Sequence, residues 1–237
     1  MIKNIVSCGC SYVAGCGCST PLQERLSALF AKKYNAEDIN FAIDGGSNDR
    51  SVRKITNWVV ENKNKLDETL FLIGVTQPQR FEIYTHIWKG GRHLRYAELF
   101  TVNSDLFNAK MGVKTTLRNI FLLTTVFEKY NCKYIIFDVI DNIKTVSLGG
   151  LPNPSDKYYD EVFGNKNYYS KESWMDFCSP RGKGLFAAED KRMLIGASKG
   201  FEGDWGIRVR KEIKNGLKFC QIMLRKINYG STDILVK

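Results

Sequence analysis

The sequence predicts an α/β fold: a three-layer α/β/α sandwich with a flavodoxin-like parallel sheet and two long insertions. Short apolar runs alternate with amphipathic segments along the chain, and this alternation is typical of a parallel sheet covered by helices on both faces. Hydrophobic residues make up 43% of the 237 positions, which is enough for one sizeable core. No linker rich in Pro, Ser or Gly divides the chain, so we expect a single domain over residues 1–237.

Four short apolar runs, each bounded by turn residues, are predicted as strands. They are IKNIVS (2–7), INFAI (39–43), ETLFLIGVT (68–76) and CKYIIFDVI (132–140). Each run is too short for a helix of ordinary length and is rich in branched or aromatic residues. Together they indicate a sheet of at least four strands.

Helical spacing of apolar residues marks the segments between the strands. The predicted helices are PLQERLSALFAKKY (21–34), a helix that begins at Ser47 or Asn48, KTTLRNIFLLTTVFEKY (114–130) and a basic C-terminal helix over 207–228. Pro21 suits the first turn of the first helix. Ser47 or Asn48 can cap the second helix, which carries Val52, Ile55 and Val59 on one face.

Two long segments interrupt the alternation, at 78–110 and 142–205. Both leave from the carboxyl ends of predicted strands, which is the sheet edge where ligands bind in this architecture. Segments of this length are usually lids, binding surfaces or oligomer contacts. The tyrosine-rich run over 157–174 favours contacts with protein partners or between copies of the chain.

The formal charge of +10 favours contact with a polyanion. Seven basic residues and one acidic residue lie in the predicted helix over 207–228, opposite an apolar stripe. The basic face of that helix can therefore contact an acidic partner or simply face solvent. No DNA- or RNA-binding motif accompanies it, so nucleic acid is not expected as the main ligand.

The N-terminal run MIKNIVSCGC is too short for a secretory signal or a membrane span, so we expect no membrane association and a cytoplasmic protein. Four of the seven cysteines lie within residues 8–18, and in this compartment we expect reduced thiols. Paired zinc ligands usually have two or more residues between them, whereas these pairs are C-x-C, so we expect neither a metal nor another cofactor.

Three strand ends carry residues suited to acyl-transfer chemistry. Ser11 follows the first strand, where its hydroxyl can stand clear of the sheet. Gly45 follows the second strand and leaves a backbone N–H unobstructed, and Thr76 follows the third and can donate from its hydroxyl. Together these groups can surround a developing oxyanion. The alternative is that Ser11 is an ordinary turn residue.

This arrangement resembles the SGNH (GDSL-type) hydrolases. Their first block is G-D-S-x-x-x-G, and the stretch GCSYVAG (9–15) keeps both glycines and Ser11, with Cys10 in place of the aspartate. In their second block an asparagine precedes the oxyanion glycine by five residues, as Asn40 precedes Gly45. The resemblance implies a flavodoxin-like fold and a nucleophilic serine at Ser11.

The third block of the family, G-x-N, corresponds to residues 74–76, where Thr76 replaces the asparagine. The T-x-x-x-R-x-E run of Thr76, Arg80 and Glu82, together with GGSND (45–49), looks like a divergent branch of the family found in bacteriophage genomes. Arg80 and Glu82 are expected to form a local ion pair. Along with Asn48 they are candidates for substrate or loop contacts.

The fourth block of the family, D-x-x-H, is missing, because no histidine follows His93. The best alignment places Asp204 where the catalytic histidine stands. An aspartate at its ordinary pKa is too weak a base to activate a serine. His86 and His93 in the first insertion are the other candidates for the base, and their alternative role is as surface or packing residues.

The resemblance therefore implies an SGNH-like esterase or O-deacetylase with a degenerate active site, acting on an ester such as an acetylated glycan. Ser11 would be the nucleophile, and the N–H groups of Ser11 and Gly45 would form the oxyanion hole with Thr76. The alternative is a catalytically inactive protein of the same fold, with a structural or binding role such as that of a bacteriophage virion component. The loss of the histidine block makes reduced or absent activity an open alternative.

Overall fold

The computed structural model describes residues 1–16, 18, 20–78, 80–82, 109–139 and 156–169. Within these ranges the strands are β1 (Asn4–Cys8), β2 (Glu37–Asn40), β3 (Thr69–Val75), β4 (Lys133–Asp138) and β5 (Tyr168–Tyr169). The α-helices of the same ranges are α1 (Ser11–Ala14), α2 (Pro21–Glu24), α3 (Leu26–Tyr34), α4 (Asn48–Glu61), α5 (Ala109–Lys129) and α6 (Tyr159–Phe163). A 3₁₀ segment, Lys63–Glu68, joins α4 to β3.

The five strands form one parallel sheet in the order β2-β1-β3-β4-β5. This is the flavodoxin-like order, and it confirms the predicted fold class. The chain moves outward from β1 to β2 and then crosses back to β3 on the other side of β1. The carboxyl ends of β1, β2 and β3 therefore lie together at the point where the direction of winding reverses, which is where ligands bind in such sheets.

The helices cover both faces of the sheet because parallel crossovers are right-handed. The connection from β1 to β2 runs in one direction along the sheet and places α3 on one face. The connections from β2 onward run in the opposite direction, and they place α4, α5 and α6 on the other face. The result is the predicted α/β/α sandwich.

Each face has its own hydrophobic core, because strand side chains alternate between the two faces. The core under α4 and α5 includes Ile55, Trp58, Phe71, Leu117 and Phe127. On the opposite face the buried residues include Ile5, Val13, Leu26, Phe30 and Phe137. Strands β1, β3 and β4 contribute to both cores and are almost wholly buried, as expected for central strands of a parallel sheet.

The helix predicted over 21–34 is divided into two at Arg25. This residue has an extended backbone with φ −62° and ψ 154°. Its guanidinium pairs with the carboxylate of Asp38 in β2, with Nε donating to Oδ2 at 2.9 Å. Both side chains are largely buried, so the ion pair fixes Arg25 outside helical geometry.

Three other boundaries differ from the sequence prediction. Helix α5 begins at Ala109, five residues before the predicted start at residue 114. The second strand ends at Asn40 rather than continuing to residue 43, because the side chain of Asn40 accepts a hydrogen bond from the N–H of Ala42 and turns the chain. The segment predicted as one long insertion over 142–205 contributes α6 and β5 to the domain. A two-residue strand gives no periodic signal, so the sequence could not reveal it.

The rest of both predicted insertions and the basic helix predicted over 207–228 lie outside the described residues. None of the helices in the described ranges combines the length and the apolar composition that crossing a bilayer requires.

The first and second turns are in direct backbone contact. A Cβ on Gly46 would overlap the carbonyl oxygen of Gly9, so only glycine fits at position 46. The N–H of Ile43 also donates to the carbonyl of Gly9, at 3.4 Å. This contact sets how close the turn after β2 comes to the turn after β1.

Replacing Gly46 with alanine should lower the free energy of unfolding by roughly 1–3 kcal/mol or more, because the added methyl group must push two backbones apart. Chemical denaturation of the purified variant measures this loss. Gly45→Ala is the matched control, since it adds the same group one residue earlier. Gly45→Ala should lower the free energy of unfolding by roughly 1–2 kcal/mol, because alanine is strained in the left-handed conformation of this residue. An unchanged stability for Gly46→Ala would contradict the close contact.

Candidate active site

Ser11 is the first residue of α1 and lies just beyond the carboxyl end of β1. Cys10 precedes it with an extended backbone, and Ser11 itself is partly exposed. After a single helical turn, Gly15 takes a left-handed conformation with φ 96°, and the N–H of Cys16 donates to the carbonyl of Ser11 at 2.8 Å. The short helix therefore presents Ser11 at the sheet edge with its backbone N–H pointing away from the helix.

Val13 holds α1 down on the sheet. Its side chain is buried and packs against two glycines, Gly9 of the first turn and Gly74 of β3. A Cβ on Gly9 would lie 2.7 Å from Val13 Cγ2, and a Cβ on Gly74 would lie 2.6 Å from the same atom. Because neither glycine has a side chain, Val13 packs directly against the sheet. This packing fixes the distance between Ser11 and the sheet.

Asn40, at the end of β2, ties the second turn to α1. Its Nδ2 donates to the carbonyl of Val13 at 2.9 Å and to Ser27 Oγ at 2.9 Å, while its Oδ1 accepts from the N–H of Ala42 at 2.8 Å. Both ends of the amide are thus used by the protein. Asn40 has a structural role in the described residues, and it positions the helix that carries Ser11.

Gly45 has a left-handed backbone with φ 67°, which glycine adopts without strain. Within the described part of the chain its N–H has no hydrogen-bond partner. By contrast, the N–H of Gly46 donates to the carbonyl of Ile43 at 3.0 Å. The N–H of Gly45 is therefore a backbone donor in the second turn, beside the backbone contact between Gly46 and Gly9.

Thr76, at the end of β3, is buried and is held by Asn48 from α4. The N–H of Thr76 donates to Asn48 Oδ1 at 2.9 Å, and Asn48 Nδ2 donates to the carbonyl of Thr76 at 3.1 Å. The same Nδ2 donates to Thr116 Oγ1 on α5 at 3.1 Å. Asn48 is therefore a buried contact that joins the second turn, the third turn and α5.

Arg80 supports the hydroxyl of Thr76. One guanidinium nitrogen of Arg80 donates to Thr76 Oγ1 at 2.9 Å, and another donates to Gln77 Oε1 at 3.2 Å. Because the threonine oxygen accepts from a cation, its own proton is left to donate elsewhere. A hydroxyl polarised in this way is a stronger donor than an isolated one.

The local ion pair expected between Arg80 and Glu82 is not formed. Arg53 of α4 takes the carboxylate of Glu82 in a bidentate pair, with Nε to Oε2 at 2.8 Å. The N–H of Glu82 also donates to Asp49 Oδ2 at 3.4 Å. Arg53 is 29 residues from Glu82 in the sequence, so local spacing gave no sign of this partner. The pair anchors the segment that follows Thr76 onto α4.

The thiols near Ser11 are not arranged as nucleophiles. Cys8 and Cys10 are buried in the cores on opposite faces of the sheet. Burial raises the pKa of the Cys8 thiol, and burial raises the pKa of Cys18 to about 11. Burial and, to a lesser extent, the nearby Asp44 raise the pKa of Cys16. Since the thiolate is the reactive form, these three side chains are protonated near neutral pH.

The candidate bases His86, His93 and Asp204 lie outside the described residues. Among the residues that the structure describes, none forms a hydrogen bond with the Ser11 hydroxyl. The first, second and third turns thus bring Ser11, Gly45 and Thr76 to one edge of the sheet. The described ranges also hold no cluster of three or more histidine, cysteine or carboxylate side chains that could bind a metal.

No protein-family model matches the chain, and no curated protein matches it. A structure of the psychrotrophic esterase EstA from Pseudoalteromonas sp., inhibited by monoethylphosphonate, is 13% identical, with 93% of this chain and 99% of that chain covered and a TM-score of 0.41.

Two enzymes from Streptomyces are also similar. Phospholipase A1 from Streptomyces albidoflavus NA297 is 11% identical to this chain, with a TM-score of 0.31. The match covers 99% of this chain and 80% of the phospholipase. The extracellular lipase from Streptomyces rimosus is 10% identical to this chain, with a TM-score of 0.30. The match covers 96% of this chain and 78% of the lipase. At these identities and TM-scores, the three likenesses assign neither a family nor an activity to this chain.

Asn48→Ala should lower the free energy of unfolding by about 3 kcal/mol, because it leaves the backbone groups of Thr76 buried without partners. Denaturant-induced unfolding followed by fluorescence measures the change. The control is Asn62→Ala at the other end of α4, where one hydrogen bond to the carbonyl of Trp58 is lost at a partly exposed site. That change should cost less than about 1 kcal/mol. Equal losses in the two variants would contradict the role of Asn48.

Proposed function

We propose that the protein is a serine esterase in which Ser11 is the nucleophile and the substrate is an ester such as an acetylated glycan. The observation that carries the proposal is the close assembly of three turns at the reversal point of the sheet. Gly46 lies against Gly9, and Asn48 holds Thr76, so the turns that bear Ser11, Gly45 and Thr76 are fixed relative to one another.

The oxyanion of the tetrahedral intermediate would be stabilised by three donors. The N–H groups of Ser11 and Gly45 have no partner among the described residues, and the Thr76 hydroxyl has its proton free to donate because its oxygen accepts from Arg80. Fixed donors need no reorganisation as charge develops, which is why such groups lower the barrier. Arg80 adds a positive charge beside the Thr76 hydroxyl.

The general base would come from the segment over 83–108, which holds the only two histidines of the chain, His86 and His93. The segment before it is anchored to α4 by the pair of Arg53 and Glu82, so it begins at the same sheet edge as Ser11. A neutral imidazole can take the serine proton at physiological pH, whereas Asp204 at its ordinary pKa would be too weak a base.

Hydrolysis of p-nitrophenyl acetate by the purified chain tests the proposal. Ser11→Ala should abolish the activity. With a histidine base, kcat/KM should rise with pH and reach half its maximum near about pH 6.5, because only the neutral imidazole accepts a proton. His86→Ala and His93→Ala would identify which residue is the base. A Ser11→Ala variant as active as the unmodified protein would overturn the assignment.

Thr76→Val should lower kcat by roughly 10²–10³ with little change in KM, because the variant keeps the shape of the side chain and loses one oxyanion donor. Steady-state kinetics on the same ester measure the effect. Thr76→Ser, which retains the hydroxyl, is the control and should keep most of the activity. If Thr76→Val is as active as Thr76→Ser, the hydroxyl has no part in the oxyanion hole.

A second function, a non-catalytic structural or binding role such as that of a bacteriophage virion component, is favoured by one observation. The backbone N–H and carbonyl of Thr76 are both used by Asn48, so much of the third turn serves the fold itself. The lack of the D-x-x-H block of the SGNH hydrolases also favours a non-catalytic role. A folded protein that shows no Ser11-dependent hydrolysis of esters would support this role over the enzymatic one.

A further inference from the structure

A pocket of about 190 Å³ lies beside the second turn, between that turn, the first turn of α4 and the segment after Thr76. Its lining includes Asp44, Gly45, Gly46, Arg50 and Phe81. The pocket adjoins the turn of Ser11, because Gly46 is in contact with Gly9. Ser11 is not one of the lining residues, so the pocket lies beside the turn of the proposed nucleophile and not at its hydroxyl.

Arg50 is the unusual residue of this pocket. It is partly buried, its Nε is shielded from solvent and forms no hydrogen bond, and its side chain pairs with none of the described carboxylates. By contrast, the other arginine of α4, Arg53, pairs with Glu82, and Arg25, between α2 and α3, pairs with Asp38. Burying a guanidinium nitrogen without a hydrogen-bond partner is unfavourable, so the placement of Arg50 Nε lowers the stability of the protein.

The groups around Arg50 favour an anionic ligand with planar oxygens. A carboxylate can accept from the guanidinium in two parallel hydrogen bonds. The N-terminus of the 14-residue helix α4 adds a favourable dipole at the pocket. The cationic side chain and the cavity carry this conclusion, and the helix end adds to it.

Two more lining residues, Asp44 and Phe81, restrict which other chemical groups the ligand can carry. Asp44 is exposed at the pocket, where its carboxylate repels a second negative charge and accepts from hydroxyl groups. Phe81 offers a partly exposed aromatic ring on which the apolar face of a sugar can pack. A compact molecule that combines one carboxylate with several hydroxyls meets all three requirements.

We propose that this pocket binds the carboxylate-bearing ring of an acidic sugar, and that the ester cleaved at Ser11 is carried on such a sugar. The second half rests on the function proposed above, and the first half does not. Arg50 takes the carboxylate, Asp44 accepts from ring hydroxyls, and Phe81 packs on the ring. The proposal thus narrows the substrate from esters in general to esters of acidic glycans.

The test is a ligand-observed NMR titration of the full chain with D-glucuronate, D-glucose and sodium acetate. Glucuronate should bind about tenfold or more tightly than either of the others, since only it satisfies both Arg50 and Asp44. Equal affinities for glucuronate and glucose would overturn the role of the carboxylate. Acetate binding as tightly as glucuronate would overturn the role of the sugar.

Arg50→Gln should weaken glucuronate binding about tenfold or more and leave glucose unchanged. Lys54→Gln is the matched control, because it removes the same charge one turn further along α4 from a residue outside the pocket lining. If Lys54→Gln has the same effect, the charge acts at a distance and the pocket assignment fails. Thermal unfolding of each variant confirms that it is folded, and Arg50→Lys provides a second variant that keeps the charge and loses the bidentate geometry.

Asp44→Asn tests whether the pocket recognises a sugar or only a simple anion. The variant should bind glucuronate more weakly, because the amide is a poorer acceptor for ring hydroxyls. Tighter binding would mean that Asp44 only repels anions, and this would overturn the sugar assignment. Ser11→Ala should bind glucuronate like the unmodified chain. Arg50-dependent binding without any hydrolysis of esters would therefore refute the function of Ser11 and leave the pocket assignment in place.

Discussion

The backbone contact between Gly46 and Gly9 is the constraint on which the rest of the candidate site depends. It brings the turn after β2 against the turn after β1 at the point where the winding of the sheet reverses. Without this contact the N–H of Gly45 and the hydroxyl of Ser11 would belong to two separate loops. A side chain at position 46 would separate the turns, so the site depends on a residue that has no functional group of its own.

Asparagine side chains make this arrangement rigid. Asn40 joins the end of β2 to α1, and Asn48 joins the start of α4 to Thr76 and to α5. Each amide uses both its donor and its acceptor inside the protein, so each fixes two elements relative to each other. The same side chains therefore stabilise the fold and position the proposed chemistry, as expected where polar groups are buried with full hydrogen bonding.

The sequence predicts the fold well because its signals are local. Apolar runs mark the long strands, Ser47 caps α4 by accepting from the N–H of Arg50, and the glycines mark the turns. The features that were not predicted depend on residues far apart in the chain. Arg25 leaves the helix because of Asp38, and Glu82 pairs with Arg53 rather than with Arg80. Likewise the lack of a partner for Arg50 Nε among the described residues is a property of three-dimensional packing, and no spacing of residues can reveal it.

The most direct test of the central claim, that Ser11 is an activated nucleophile, is labelling of the folded protein with a fluorophosphonate probe followed by peptide mass spectrometry. An activated serine is expected to carry the label at Ser11, and the label should be absent from the Ser11→Ala variant. Absence of labelling in a protein shown to be folded would contradict the claim. In that case the three turns would have a binding role only, and Arg50 would contact the bound ligand.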